Sequence, residues 1–170
     1  MEIKLDNEMF NDEELKNTPQ RYEKFMKEWN KKREEFNFTI FDNPDYTGMV
    51  VMKNITFNSM CAHHLLPFKG IGHIGYIPGK KICGASKLIR ALEMFSHKPQ
   101  TQEKLTVEVK DFLMEKLKPK GVMIVLEAKH DCMCIRGVKN PTSVMITSEC
   151  TGSFKNHEKT REEFLQFIKN

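Results

Sequence analysis

MVVMKNITFNSMCAHHLLPFKGIGHIGYI, residues 49–77, followed by the Pro78-Gly79 turn, carries the architecture of this chain. From Phe68 to Ile77 the residues alternate around Gly70, Gly72 and Gly75, the two-residue period of a strand. Upstream, Met49 to Ser59 is rich in β-branched and aromatic residues, although Val51, Ile55 and Phe57 fit that period imperfectly. The pattern predicts an antiparallel strand pair joined through Cys61 to Pro67.

Downstream, the period changes. Leu88, Ile89, Leu92 and Phe95 make one face of a helix over Ser86 to His97, and Pro99 interrupts it. Leu105, Val109, Phe112, Leu113 and Leu117 make a second over Gln102 to Leu117. The Pro119-Lys120-Gly121 turn leads into a strand at Val122 to Ala128, and Asn140-Pro141 precedes another at Ser143 to Thr151. His157 to Ile168 is a charged terminal helix.

Upstream, residues 8 to 35 read as helical and strongly charged, with Thr18 as N-cap and Pro19 at the first helical position. Tyr22, Phe25, Met26 and Trp29 form an apolar stripe that needs a partner, such as a neighbouring subunit. Phe36 to Phe41 is a short strand, and Asn43-Pro44-Asp45 a turn. The expected organisation is a helical segment over 1–35, serving subunit packing, and a main domain over 36–170. Its class is α+β with an antiparallel sheet.

The net charge of +4 comes from 27 Lys plus Arg against 23 Asp plus Glu. Lys31-Lys32-Arg33 runs straight into Glu34-Glu35, a solvated mixed-charge face, so no nucleic-acid partner is expected. The chain shows no apolar run of membrane length, and its first residues lack the apolar core of a signal peptide. A cytoplasmic location with no membrane association is the expectation. Five cysteines, an odd count, argue against a disulfide framework and leave the thiols free, buried or bound to metal.

Two clusters hold the chemistry. Cys61-Ala62-His63-His64 gives C-x2-H spacing, close enough for both ends to reach one ion at about 2.3 Å (sulfur) and about 2.0 Å (nitrogen). In His130-Asp131-Cys132-Met133-Cys134-Ile135-Arg136-Gly137, an extended backbone would point His130, Cys132 and Cys134 to one face. Thiolate with imidazole favours zinc over hard cations. Spacing alone does not choose among Cys61, His63, His64, Cys132 and Cys134, with His130 nearby.

Four motifs in order are then informative: Cys-x-His-His-Leu-Leu-Pro-Phe from Cys61, Gly-Ala-Ser-Lys-Leu-Ile-Arg from Gly84, the run Ser96 to Thr106, and His-x-Cys-Met-x-x-Arg-Gly from His130. Together with Thr18-Pro19-Gln20-Arg21 and Met49-Val50, they resemble the GTP cyclohydrolase I family over about residues 15 to 155. The resemblance implies a tunnelling fold: an antiparallel four-stranded sheet with a helix pair on one face, plus N-terminal and C-terminal helices. It implies a zinc-dependent hydrolase that opens the imidazole ring of GTP, releasing formate and forming 7,8-dihydroneopterin triphosphate. It also implies a homodecamer with active sites between subunits.

Carried over by position, the resemblance puts the zinc ligands at Cys61, His64 and Cys132, leaving a fourth position to water. It makes His63 and His130 the acid/base histidines, and Glu103, assisted by Gln102, the guanine-recognising group. Ser86, Lys87, Arg90 and Arg136 fall on phosphate-binding positions, with Arg21 and Lys24 reaching the phosphates from an adjacent subunit. Cys134 falls on a non-ligand position and reads as a packing thiol. The sequence departs at Ala62, where the family carries glutamate beside the ligands. Two other readings remain: a tunnelling-fold paralogue acting on another pterin or deazapurine, and a zinc-stabilised oligomer without turnover. The first would use a cysteine nucleophile and a nicotinamide cofactor, against which the intact zinc triad argues. His63, His130 and Glu103 argue against the second.

Overall fold

The computed structural model describes residues 12–29 and 36–169. The helical and charged stretches expected at 8–11 and 30–35 lie outside the described residues. Two compact units are present, Met1–Lys32 and Arg33–Asn170.

In the first unit, α1 (Thr18–Trp29) is a single helix with no buried residue. Its first intrahelical bond, from Arg21 N–H, is accepted by the Asn17 carbonyl. The cap is therefore Asn17 and not Thr18, and Pro19 falls within the first turn, where a missing N–H costs nothing. The expected stripe is present, with the Phe25 ring between those of Tyr22 and Trp29 in tilted contacts at 5.9 and 5.6 Å. Glu23 and Lys27 pair one turn apart at 2.6 Å.

The second unit opens with β1 (Ile40–Asp42), β2 (Val50–Cys61), β3 (Pro67–Ile77) and β4 (Lys81–Cys83). Then come α2 (Ala85–Ser96), β5 (Pro99–Gln100), α3 (Gln102–Leu117) and β6 (Gly121–His130). The chain ends with α4 (Asp131–Cys134), β7 (Met145–Gly152), α5 (Ser153–Asn156) and α6 (Glu158–Lys169). The expected four-stranded antiparallel sheet is β2-β3-β6-β7. The two-residue β5, which pairs in parallel with Met60 and Cys61, and the three-residue β4 are too short to leave a period in the sequence. The short strand expected at Phe36 to Phe41 is β1, confined to Ile40–Asp42, and it pairs with β4 as a separate ribbon.

The imperfect alternation of β2 has a physical cause. Its register against β3 shifts between Met52 and Ile55, and within that bulge Asn54 sits at φ 60°. Asparagine tolerates the left-handed region better than most side chains, so the bulge falls where the sequence permits it.

The sheet is covered on both faces. Ile74, Ile124 and Leu126 pack with Leu88, Leu92, Leu105 and Val109 of the helix pair α2/α3. On the opposite face Met123 and Val125 pack with Phe154 and Phe164. Glycines permit the closest approaches. A Cβ on Gly72 would lie 2.5 Å from a methyl of Leu92, and one on Gly75 2.6 Å from the Phe164 ring. At each end α3 is fixed: the Thr101 hydroxyl accepts from Lys104 N–H, and Lys118 closes the helix in the left-handed region at φ 46°. No described helix is long and apolar enough to cross a membrane.

Phe164→Ala is expected to destabilise the fold by about 3–5 kcal/mol through the cavity it leaves. Gly75→Val should cost about 1–3 kcal/mol through overpacking against the same ring. The double variant should lose less than the sum of the two, because the valine fills the vacated space. Denaturant unfolding of the three variants measures this, and strict additivity would contradict the packing described.

Candidate metal centre

Cys61 is the last residue of β2, and three backbone hydrogen bonds hold the loop that follows. Cys61 N–H donates to Leu66 O, Leu65 N–H to Cys61 O, and Ala62 N–H to Gln100 O, at 2.8, 2.9 and 3.1 Å. The left-handed Leu65, at φ 53°, closes the turn. His63 and His64 project from this loop, exposed, while Cys61 is buried.

The partner residues come from the end of β6. His130 closes that strand, opposite Phe68 of β3. Beyond it the chain does not stay extended: Asp131–Cys134 forms a helical turn. The expected common face of His130, Cys132 and Cys134 is therefore replaced by a strand end and a turn. Asp131, in the first turn, favours that helical start.

Cys61, His64 and Cys132 converge, with their ligand atoms all within 4.8 Å of one another. The His64 Nδ1 lies 3.8 Å from Cys61 Sγ, and His63 Nδ1 lies 3.7 Å from the same sulfur. Burial, with the Cys61 thiol alongside, pushes the Cys132 thiol above its ordinary value. Two thiols held this close resist ionising together, and a divalent cation relieves that opposition. Two sulfurs and an imidazole from two separate elements suit zinc, and three donors match a site that keeps one position open. The cluster does not include Cys134, which is half-buried on α4.

Around this cluster the other expected residues fall into groups. Arg136 Nη1 donates to His64 Nε2 at 2.6 Å. The His130 ring stacks on buried Phe68, centroids 4.4 Å apart and planes 5° from parallel, and its Nε2 lies 2.8 Å from Gln102 Oε1. Burial holds the His130 imidazole below its ordinary value of 6.5, against the opposing pull of the Glu103 and Asp131 carboxylates. Glu103 is exposed in the first turn of α3, at a small cleft of about 160 Å³ shared with Thr106, Thr147 and Glu149. Gln102 faces inward and is buried, unlike the exposed Glu103 beside it.

Ser86, Lys87 and Arg90 stand on the first turns of α2, with Ser86 and Arg90 exposed. Lys87 Nζ donates to the Asn37 carbonyl at 2.7 Å. Arg21 and Lys24 are exposed on α1, where Lys24 lies 3.9 Å from Glu28. Sequence reasoning missed Thr106 and Thr147, whose hydroxyls meet at 2.7 Å between α3 and β7. Two threonines 41 residues apart carry no local signal.

Comparison with known proteins agrees with this architecture. The family model described as GTP cyclohydrolase I matches residues 3–169. A GTP cyclohydrolase 1 of Sulfurihydrogenibium sp. (strain YO3AOP1) is 50% identical over 159 residues, covering 93% of this chain and 84% of that protein. One from Aquifex aeolicus (strain VF5) is 48% identical over 158 residues, covering 92% and 85%. Among solved structures, the archaeosine synthase QueF-Like in the apo form aligns with a TM-score of 0.51 at 13% identity, covering 64% of this chain and 97% of that one. That likeness bears on the fold alone, and the fold is the tunnelling fold. With a family model spanning nearly the whole chain and relatives half identical to it, this protein belongs to the GTP cyclohydrolase I family.

Proposed function

We propose that this chain converts GTP and water to formate and 7,8-dihydroneopterin triphosphate by hydrolytic opening of the purine's imidazole ring. The observation that carries the reading is the convergence of Cys61, His64 and Cys132 beside two further histidines, His63 and His130, in a member of this family. Zinc bound by the three ligands supplies an acidified water, its pKa brought down toward about 7.

The remaining steps belong to the protein's own side chains. His63 and His130 carry protons to and from the purine ring nitrogens as the C–N bonds break. His130 suits this because burial keeps its imidazole neutral near pH 7, ready to accept a proton. Glu103, exposed at the cleft mouth, accepts hydrogen bonds from guanine N1–H and the 2-amino group. Gln102 stands beside it in the same first helical turn. Ser86, Lys87 and Arg90 on α2, with Arg136, bind the triphosphate, using cations at a helix start where free N–H groups also favour anions. Arg21 and Lys24 of a neighbouring subunit complete that anion site. The assembly is a homodecamer acting in the cytoplasm, in which the exposed aromatic stripe of α1 finds its partner.

Zinc-loaded protein given GTP should release formate and yield a fluorescent pterin after oxidation; a zinc-replete preparation releasing none would overturn the reading. His64→Ala should lose zinc, measured by atomic emission, whereas His63→Ala should keep zinc and lose turnover by about 100-fold or more. Retention of zinc by both variants would disprove the ligand assignment. Native mass spectrometry should give about ten times the 19.9 kDa chain mass. A monomer would contradict the assembly.

A further inference from the structure

The buried amide of Gln102 lies at the centre of a hydrogen-bond chain whose proton order is fully determined. Its Nε2 lies 3.0 Å from the Leu126 carbonyl, 3.1 Å from the Met145 carbonyl and 3.1 Å from Thr147 Oγ1. Carbonyl oxygens only accept, so the NH2 group must face β6 and β7; a flipped amide would set its oxygen against two others. Thr106 Oγ1 donates to the Gln102 backbone carbonyl at 2.8 Å. With its proton spent there, Thr106 accepts from Thr147 Oγ1 at 2.7 Å, and the two amide hydrogens are shared among the Leu126 and Met145 carbonyls and Thr147 Oγ1. Only Oε1 of Gln102 remains, an acceptor, and it lies 2.8 Å from His130 Nε2. That nitrogen must therefore carry hydrogen.

We infer that Gln102, its amide fixed by the Leu126 and Met145 carbonyls, is a positioning residue that holds His130 as its Nε2–H tautomer and leaves Nδ1 as the nitrogen that exchanges protons. The face-to-face stack on Phe68, 5° from parallel, blocks the ring flip that would put Cε1 in place of Nε2 opposite the amide oxygen. Gln102 and Thr106 are each 1% exposed, so water does not compete for the Gln102 amide. As far as turnover is concerned, the inference rests on the activity proposed above. It assigns Gln102 to His130, whereas an amide that assisted guanine binding would have to face the cleft.

The test uses zinc-loaded, full-length protein labelled with ¹⁵N-histidine, studied at mildly alkaline pH where imidazole is neutral. His130 is identified by the signals missing from His130→Asn. The native protein should show protonated Nε2 and bare Nδ1. Gln102→Met removes the acceptor and should turn the His130 signals into a tautomer mixture, whereas Thr147→Val, which leaves the Leu126 and Met145 carbonyls on the amide, should keep the single tautomer. In turnover, Gln102→Met should lower kcat by about 10-fold or more with little change in KM for GTP, as loss of an outer hydrogen-bond partner does. Unchanged His130 shifts in Gln102→Met would overturn the inference, and so would a raised KM at unchanged kcat. If the native protein released no formate, the activity reading would fall while the nitrogen shifts still decided the tautomer.

Discussion

Pairing at the start of β3 is the constraint on which the centre depends. Pro67 stands opposite Met60 of β2, and Phe68 stands opposite both Ser59 of β2 and His130 of β6. A single dipeptide thus sets the ends of two outer strands side by side. Cys61 follows Met60 directly, and Cys132 comes two residues after His130, so the two thiols meet because β3 lies between their strands. A slip of one residue in either ladder would turn every side chain to the other face and separate the sulfurs. The continuous β3-β6 register, and the β2-β3 register from Ile55 to Met60 beyond the bulge, with glycines that admit Leu92 and Phe164, make that slip costly.

The same arrangement explains why so polar a corner is tolerated. Buried polar groups cost free energy unless each finds a partner. Gln102, Thr106 and Ser59 are all buried, and each is hydrogen-bonded, Ser59 through the Gln100 amide that also reaches the Phe95 carbonyl. Those bonds tie α2 and α3 to the sheet at the end where the cysteines lie. The thiols are different: their mutual opposition keeps a proton on one of them unless a cation takes its place, so metal binding and the geometry of this corner reinforce each other.

Much of this was legible in the sequence because periodicity survives wherever an element is long. The helix Gln102–Leu117 was read with its observed limits, and the strands around Gly70, Gly72 and Gly75 were read within a residue. What was hidden had physical reasons. The Asn54 bulge looks like a broken period because one register shift adds residues to one strand only. The α4 turn reads as extended in the sequence because alternating His-Asp-Cys-Met-Cys satisfies a two-residue period, and four residues are too few to show a helical one. The family motifs pointed to Cys61, His64 and Cys132, and spacing alone did not. The orientation of Gln102 was beyond either source, since it depends on carbonyls contributed by two strands distant in sequence.

Ala62 shows how the site is organised without the family's glutamate. Its backbone N–H donates to Gln100 O, a task open to any residue but proline, and its side chain is exposed. The loop's position therefore does not depend on what stands there. A carboxylate at 62 would add negative charge beside two histidines and two thiols, raising the proton affinity of the histidines. Without it, the carboxylates acting on His130 are Glu103 and Asp131. His130 is also held by the neutral Gln102 acceptor, which orients the ring without supplying charge. The coulombic support for a protonated His130 thus comes from α3 and α4, and burial, the larger effect, holds its imidazole below the ordinary value despite it.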